Sequence, residues 1–361
     1  MKQIKCKFGD LEFIITTFKE KDYKEQVEHI KKFYIDNNSL NKNSKKVINI
    51  SYITDEYYFN KYFKECINLK GEFFQSFDNE IHKEINFKNG TKIYLINTQE
   101  YLCIKENNNQ YTIITDGRKE GIKWPFRLIR EILVREKEED SKFFMHGTGI
   151  ILNNKGILFL GNSGSGKTTL ATNLLLNNIE NKGFISNDRV FLNDKKMDYF
   201  PIPVVFAGGT VKNNDCLSRY FEDNKIFEKK IDKEYGKIND NTKVAIPLVD
   251  IEKIFEKTKL TAQKDVEIIV FPKINKELDN KHEISEMSDR EKFIRLDSTC
   301  FTPFDSESLR LEWIRKRNIS IEELFENKFD TFQFLIKNKK ILKLEYGFNS
   351  NNEEILEDLL R

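Results

Sequence analysis

The run Gly161-Asn162-Ser163-Gly164-Ser165-Gly166-Lys167-Thr168 sets four residues between its first glycine and a Gly-Lys-Thr triplet, and Thr169 follows. This is the spacing of the glycine-rich loop whose backbone N–H groups converge on phosphate oxygens. Glycine permits a path that side chains would obstruct, and the start of the next helix adds partial positive charge. In such a loop Gly161 to Thr169 bind the nucleotide, Lys167 bridges the β- and γ-phosphates, and the Thr168 hydroxyl is a ligand for Mg²⁺. ATP, or another nucleoside triphosphate, together with Mg²⁺ is therefore the expected ligand.

A phosphate loop does not specify the reaction. Motor-like and transport ATPases carry a later hydrophobic strand that ends in an acid, whereas "EIIVFPK" ends in Pro272 and Lys273. The first acid after a strand downstream of the loop is Asp188, 21 residues past Lys167 in "FISNDRVF". A carboxylate there can hold Mg²⁺ or accept the proton of an attacking hydroxyl. An Asx turn opening the next hairpin is the structural alternative. His146 precedes the strands that lead into the loop, a place where a lone histidine is as a rule structural; His29, His82 and His282 belong to no motif.

The elements around these residues follow from periodicity. "GIIL", the turn "NNKG" and "ILFL" read as a hairpin running into the loop. "KTTLATNLLLNN" reads as a helix with Leu170/Leu174 and Ala171/Leu175 one turn apart, and Gly183 closes its connection to a strand "GFIS". "NDRV", "FL" and "MDYF" around the turn "NDKK" suggest a second hairpin, and "VEIIVFPKI" one more core strand. Upstream, "LEFIITTF", "VINISYIT", "TKIYLIN", "YLCIKE" and "YTIITDG" are strand-like runs separated by turn signals. "WPFRLIREILVREKEED" reads as a helix with Phe126, Ile129, Leu133 and Val134 at helical spacing, and Arg127 and Arg130 on it are expected as solvated or surface-paired charges. Residues 212–243 read as polar and aperiodic, and 276–292 as a solvated charged stretch. "SLRLEWIRKRNISIEELFENKFDTFQFLIKN" reads as two amphipathic helices, and the chain ends as a strand and a helix. The expected division is an antiparallel-rich α+β domain over 1–140, helping to recognise the acceptor, and a catalytic domain over 141–361.

With 60 Lys and Arg against 58 Asp and Glu in 361 residues, no overall field favours nucleic acid or an anionic membrane. Five scattered cysteines (Cys6, Cys66, Cys103, Cys216, Cys300) form no C-x-x-C pair, which argues against a disulfide framework or a structural zinc site and fits a reducing cytoplasm. Neither a signal peptide nor an apolar run of about 18 residues is readable.

Three features coincide in order and spacing: His146-Gly147 fifteen residues before Gly161, a hairpin into "GNSGSGKTTL", and then "SNDRV". Over residues 141–210 they resemble the C-terminal catalytic domain of the HPr kinase/phosphorylase family, and more closely the HPr-kinase-like proteins of peptide-modification clusters, whose "RLIRE"-like segment also stands before "HG". The resemblance implies an α/β (α+β) fold, a P-loop kinase core with a mixed sheet related to HPr kinase and phosphoenolpyruvate carboxykinase. It implies a Mg²⁺-nucleotide cofactor and transfer of phosphate to a serine hydroxyl. Lys167 and Thr168 then keep phosphate and metal roles, Asp188 matches the second of two adjacent aspartates as catalytic and metal-binding residue, and His146 matches a histidine near the active site. Asn187 stands for the first aspartate, Thr169 for a glutamate, and "FAGGTV" for a longer glycine-rich signature, which separates the chain from true HPr kinases. The expected activity is an ATP-dependent kinase acting on a hydroxyl, serine above all, of a peptide or small protein, with a homo-oligomer left open. A nucleotide-binding regulatory module or slow ATPase, and a small-molecule or carboxykinase-like enzyme, are the alternatives.

Overall fold

The computed structural model describes residues 1–35, 46–75, 81–96, 102–107, 109–224, 242–303 and 317–361, and these are the residues meant below. They divide into two compact units: one from Met1–Glu136 and Phe304–Asn318, the other from Lys137–Pro303 and Ile319–Arg361. The architecture is mixed α+β, and the larger sheets combine parallel and antiparallel strands. No described helix is long and apolar enough to cross a membrane.

The first unit contains β1 (Lys2–Phe8), β2 (Leu11–Thr17), α1 (Glu20–Lys31), β3 (Lys46–Thr54), α2 (Glu56–Ile67), β4 (Glu72–Gln75), β5 (Ile81–Asn86), β6 (Lys92–Ile96), β7 (Leu102–Asn107) and β8 (Gln110–Thr115). The strands form one sheet in the order β1-β2-β3-β8-β7-β6-β5-β4. Only β2/β3 and β3/β8 pair in parallel, because α1 and α2 carry the crossovers beside β3. The helix α2 begins on an Asp55 cap that accepts from Tyr58 N–H, and packs Phe59 and Cys66 on Ile85, Ile93, Leu95 and Ile114 of the sheet. The strand β1 departs from the sequence expectation: "KQIKCKF" is half charged, yet its Cys6 and Phe8 alternate inward opposite Phe13 and Leu11, the period of a half-buried edge strand.

The helix α3 (Trp124–Glu139) forms where its apolar spacing requires, with Phe126, Ile129, Leu133 and Val134 buried. Arg127 stacks 4.5 Å from the Trp124 ring centre and pairs with Glu131 at 3.4 Å. Arg130 is more enclosed than a surface charge, and burial pulls its pKa down to about 10.

The second unit holds β9 (Phe143–Met145), β10 (Gly147–Leu152), β11 (Lys155–Leu160), α4 (Lys167–Leu176), β12 (Lys182–Ser186), β13 (Val190–Leu192), β14 (Lys196–Tyr199), β15 (Val204–Ala207), α5 (Gly208–Lys212), α6 (Asp215–Asp223), β16 (Lys243–Ile246), α7 (Ile251–Ile254), β17 (Thr258–Leu260), β18 (Gln263–Asp265), β19 (Ile268–Ile274), β20 (His282–Glu286), α8 (Asp289–Ser298), α9 (Ile321–Asn338), β21 (Lys340–Tyr346) and α10 (Asn352–Leu360). A seven-stranded mixed sheet runs β17-β12-β10-β11-β19-β21-β20, with β11, β19 and β21 parallel at its centre and β10/β11 the expected hairpin. Asn153 and Asn154, both at positive φ, make its two-residue turn, the geometry that matches strand twist. Gly183 lies in β12, within the expected strand, where a Cβ would press on Ile151 of β10. A four-stranded sheet, β18-β14-β13-β9, and a two-stranded one, β15-β16, complete the unit.

Two charged stretches are more ordered than their composition suggests. Residues 282–286 form an edge strand antiparallel to β21, whose charged side chains keep its open side in solvent. Within 212–243, Asn214 caps α6 and the pair Leu217/Phe221 buries one face, while 225–241 lie outside the described residues. Of the two helices expected near residue 320, α9 is present and the first falls largely on residues 304–316, outside the described set.

Candidate active site

His146 and the Asn187-Asp188 pair occupy equivalent places. The chain leaves the four-stranded sheet at Met145 and enters the seven-stranded one at Gly147; it leaves the latter at Ser186 and enters the former at Val190. Both sheets keep the partners together, Met145 facing Val190 on one side and Gly149 facing Ser186 on the other. Two crossings thus lie side by side at the seam, and His146 Nε2 comes within 3.2 Å of Asp188 Oδ1. Asp188 takes a positive φ of 66°, a backbone state that aspartate tolerates better than most residues.

The other carboxylate oxygen of Asp188 is 2.9 Å from Arg189 Nη1. One aromatic ring braces both partners of Asp188: Phe301 lies 3.9 Å under the Arg189 guanidinium and stacks on the His146 ring at 5.4 Å. Backbone bonds from Phe301 N–H to Phe144 O and from His146 N–H to Thr299 O hold that segment beside β9. Burial would raise the pKa of Asp188, but the His146 hydrogen bond and the charges of Arg189, His146 and Lys167 reverse this and hold it below its ordinary value. The carboxylate is ionised at neutral pH and fixed by side chains.

The phosphate loop leaves β11 and closes on α4 through two left-handed glycines, Gly164 (φ 82°) and Gly166 (φ 92°). A side chain at Gly166 would overlap the Tyr346 hydroxyl, which instead donates to the Gly166 carbonyl at 3.0 Å. Lys167 is 6% exposed and donates to the carbonyls of Gly161 (2.6 Å) and Asn162 (2.9 Å). Burial lowers its pKa from 10.5 to about 8; Asp188 opposes the shift and the charges of Arg189 and Lys243 add to it.

The Thr168 hydroxyl donates to Asn187 Oδ1 at 2.8 Å, and Thr148 donates to the same oxygen at 2.9 Å. The Asn187 amide N–H₂ then donates to the Val205 carbonyl at 3.3 Å. With its proton committed to Asn187, the Thr168 oxygen keeps lone pairs for a cation, and with Asp188 on the same cavity the donors are hard oxygens that suit Mg²⁺. Among the described residues no group of three or more His, Cys, Asp or Glu could hold a metal unaided, so Mg²⁺ here would share its ligands with nucleotide phosphates.

A cavity of about 130 Å³ collects the sequence-predicted residues His146, Ser163, Gly164, Gly166, Lys167, Thr168, Thr169 and Asp188, with Asn187 between them. Gly161, Asn162 and Ser165 belong to the loop without lining that cavity. Its remaining wall is Val205, Ala207, Thr210 and Lys243, which sequence reasoning missed. Thr210 meets Thr169 at 2.7 Å, hydroxyl to hydroxyl. "FAGGTV" was the one signal available, since its small residues let α5 start against the loop helix; Lys243, Phe301 and Tyr346 carry no local signature. Neither a protein-family model nor a curated protein sequence matches the chain.

Proposed function

We propose that the protein is an ATP-dependent kinase that passes the γ-phosphate to a hydroxyl, serine above all, of a peptide or small protein in a reducing cytoplasm. The observation that carries this reading is one cavity lined by the lysine and threonine of the glycine-rich loop, a fixed carboxylate and its histidine partner. The likeness of residues 141–210 to HPr-kinase-like proteins supports serine as the acceptor and a P-loop kinase core as the fold class.

In forward transfer the acceptor oxygen attacks the γ-phosphorus, the bond from that phosphorus to the β–γ bridging oxygen breaks, and its electron pair leaves with ADP. Asp188 takes the acceptor proton; its low basicity suits a loose transition state, in which the hydroxyl becomes acidic late. Lys167 spreads the charge of the transferring group, and His146 with Arg189 orients Asp188. Bound Mg²⁺ would neutralise charge on the β- and γ-oxygens, held by Thr168 and Asp188.

Incubating the protein with γ-labelled ATP, Mg²⁺ and a lysate of its own host tests the reading. Label in a peptide or protein band is the expected result. Label in free phosphate alone would establish a slow ATPase or regulatory module, and label in a metabolite a small-molecule kinase.

A further inference from the structure

Lys243 opens β16 opposite Ala207 of β15, and both residues line the phosphate cavity. Its charge is felt by Lys167, whose pKa it helps to lower. Asp188 is the one carboxylate in the wall, and it is gripped by His146 and Arg189. Lys167 and Lys243 thus line one cavity from different elements.

The strand pair that carries Lys243 is tied to the phosphate loop region at both ends. Asn187, which holds Thr168, donates to Val205 of β15; Thr210, at the far end, meets Thr169 of α4. Gly208 N–H also donates to Thr242 O at 2.8 Å, fixing the residue before Lys243. A phosphate loop cradles the inner phosphates with its backbone and reaches the outer ones with its lysine. The wall residues off the loop are His146, Asn187, Asp188, Val205, Ala207, Thr210 and Lys243, and Lys243 is the one lysine among them.

From this geometry we infer that Lys243 contacts the γ-phosphoryl oxygens and is a second catalytic lysine, stabilising the charge on the group in flight. The inference rests on the kinase reading of this cavity and deepens it. Lys243 acts with Lys167, one lysine carried by the loop helix and the other by a separate strand, so the transferring group is met from two independent elements.

Calorimetric titration of the full-length protein with Mg²⁺-ADP and with a non-hydrolysable Mg²⁺-ATP analogue separates the possibilities. Lys243→Met should weaken the ATP analogue by about tenfold or more, the loss of a charge-assisted bond, while ADP affinity stays within about threefold. Lys243→Arg should restore most of the difference, and Lys243→Met should slow transfer by about a hundredfold or more. Equal loss for ADP and the analogue, or no loss for either, in protein with a wild-type melting curve overturns the inference and leaves the kinase reading standing. If the wild type binds neither nucleotide, the kinase reading fails and this inference with it.

Discussion

Lys167 is a charge that the folded protein tolerates for the sake of a ligand, and Lys167→Met measures how much. Lowering an ammonium pKa from 10.5 to about 8 means that its protonated form is disfavoured in the folded state by about 3 kcal/mol relative to the unfolded chain. Methionine has a similar length and no charge, so it removes that cost. It also forfeits the two bonds to the Gly161 and Asn162 carbonyls, at about 1 kcal/mol each. At pH 7 the variant should therefore be more stable than wild type by about 1 kcal/mol, a rise in Tm of about 2–4 °C for a unit of this size. The unfolded lysine keeps its proton to near 10.5 while the folded one sheds it from about pH 8, so wild-type stability gains on the variant as pH rises between those values. By pH 10 the order should reverse. Paired melting curves at pH 7 and pH 10 read the difference directly, because every other titrating group is common to both proteins. Added Mg²⁺-ATP should raise the Tm of the wild type only. A difference that stays flat across this range would refute the reasoning, since it would mean that Lys167 is not strained by its burial.

Asp188→Asn should abolish transfer, by at least about a hundredfold, with calorimetric ATP affinity nearly unchanged, since the amide keeps the shape and loses the basicity; near-wild-type turnover would remove Asp188 from the chemistry. His146→Ala should slow transfer by about tenfold, below the range for losing a general base, because Arg189 still holds Asp188; a loss as complete as that of Asp188→Asn would reverse the two roles. Asn187→Asp should destabilise the protein by about 1–3 kcal/mol in denaturant titration, because a buried acid turns an acceptor toward the Val205 carbonyl that the amide now serves; an unchanged midpoint would show that this bond carries no weight.

The sequence made some of this site readable and hid the rest for a physical reason. Gly166, Lys167 and Thr168 act through backbone path and fixed spacing within one turn, so their order in the chain carries the geometry. The hairpin before them was readable because two asparagines between apolar runs prescribe a single turn. His146 and Asp188 were each visible as isolated residues, but their contact was not: it depends on two chain crossings brought side by side by the pairings Met145/Val190 and Gly149/Ser186. Tyr346, Phe301 and Lys243 stand 180, 135 and 77 residues away from Gly166. They reach the site through sheet order and loop packing, which no local pattern encodes. The edge strand at 282–286 was missed for a related reason, since charge on an exposed edge looks in composition like charge in a loop.

Asn187 shows how a departure in sequence becomes intelligible once its bonds are known. The kinases that the segment resembles have an acid there, and by sequence alone the amide looks like a lost catalytic group. In the fold its carbonyl oxygen accepts from Thr148 and Thr168 and its amide donates to Val205, three bonds that an ionised acid could match only in part. The amide thus joins the loop threonine to the β15-β16 strand pair, and through that pair to Lys243. It also leaves Asp188 as the one acid in the cavity wall. One carboxylate suffices to take a proton from an acceptor hydroxyl, whereas attack by inorganic phosphate on a phosphorylated serine needs a second group to return a proton to the leaving oxygen. The protein should therefore run forward as a kinase and release little pyrophosphate when given phosphorylated acceptor, Mg²⁺ and phosphate. Efficient pyrophosphate release from the wild type would show that Asn187, or a water it holds, supplies the proton after all, and that its three bonds do not confine it to a positioning role.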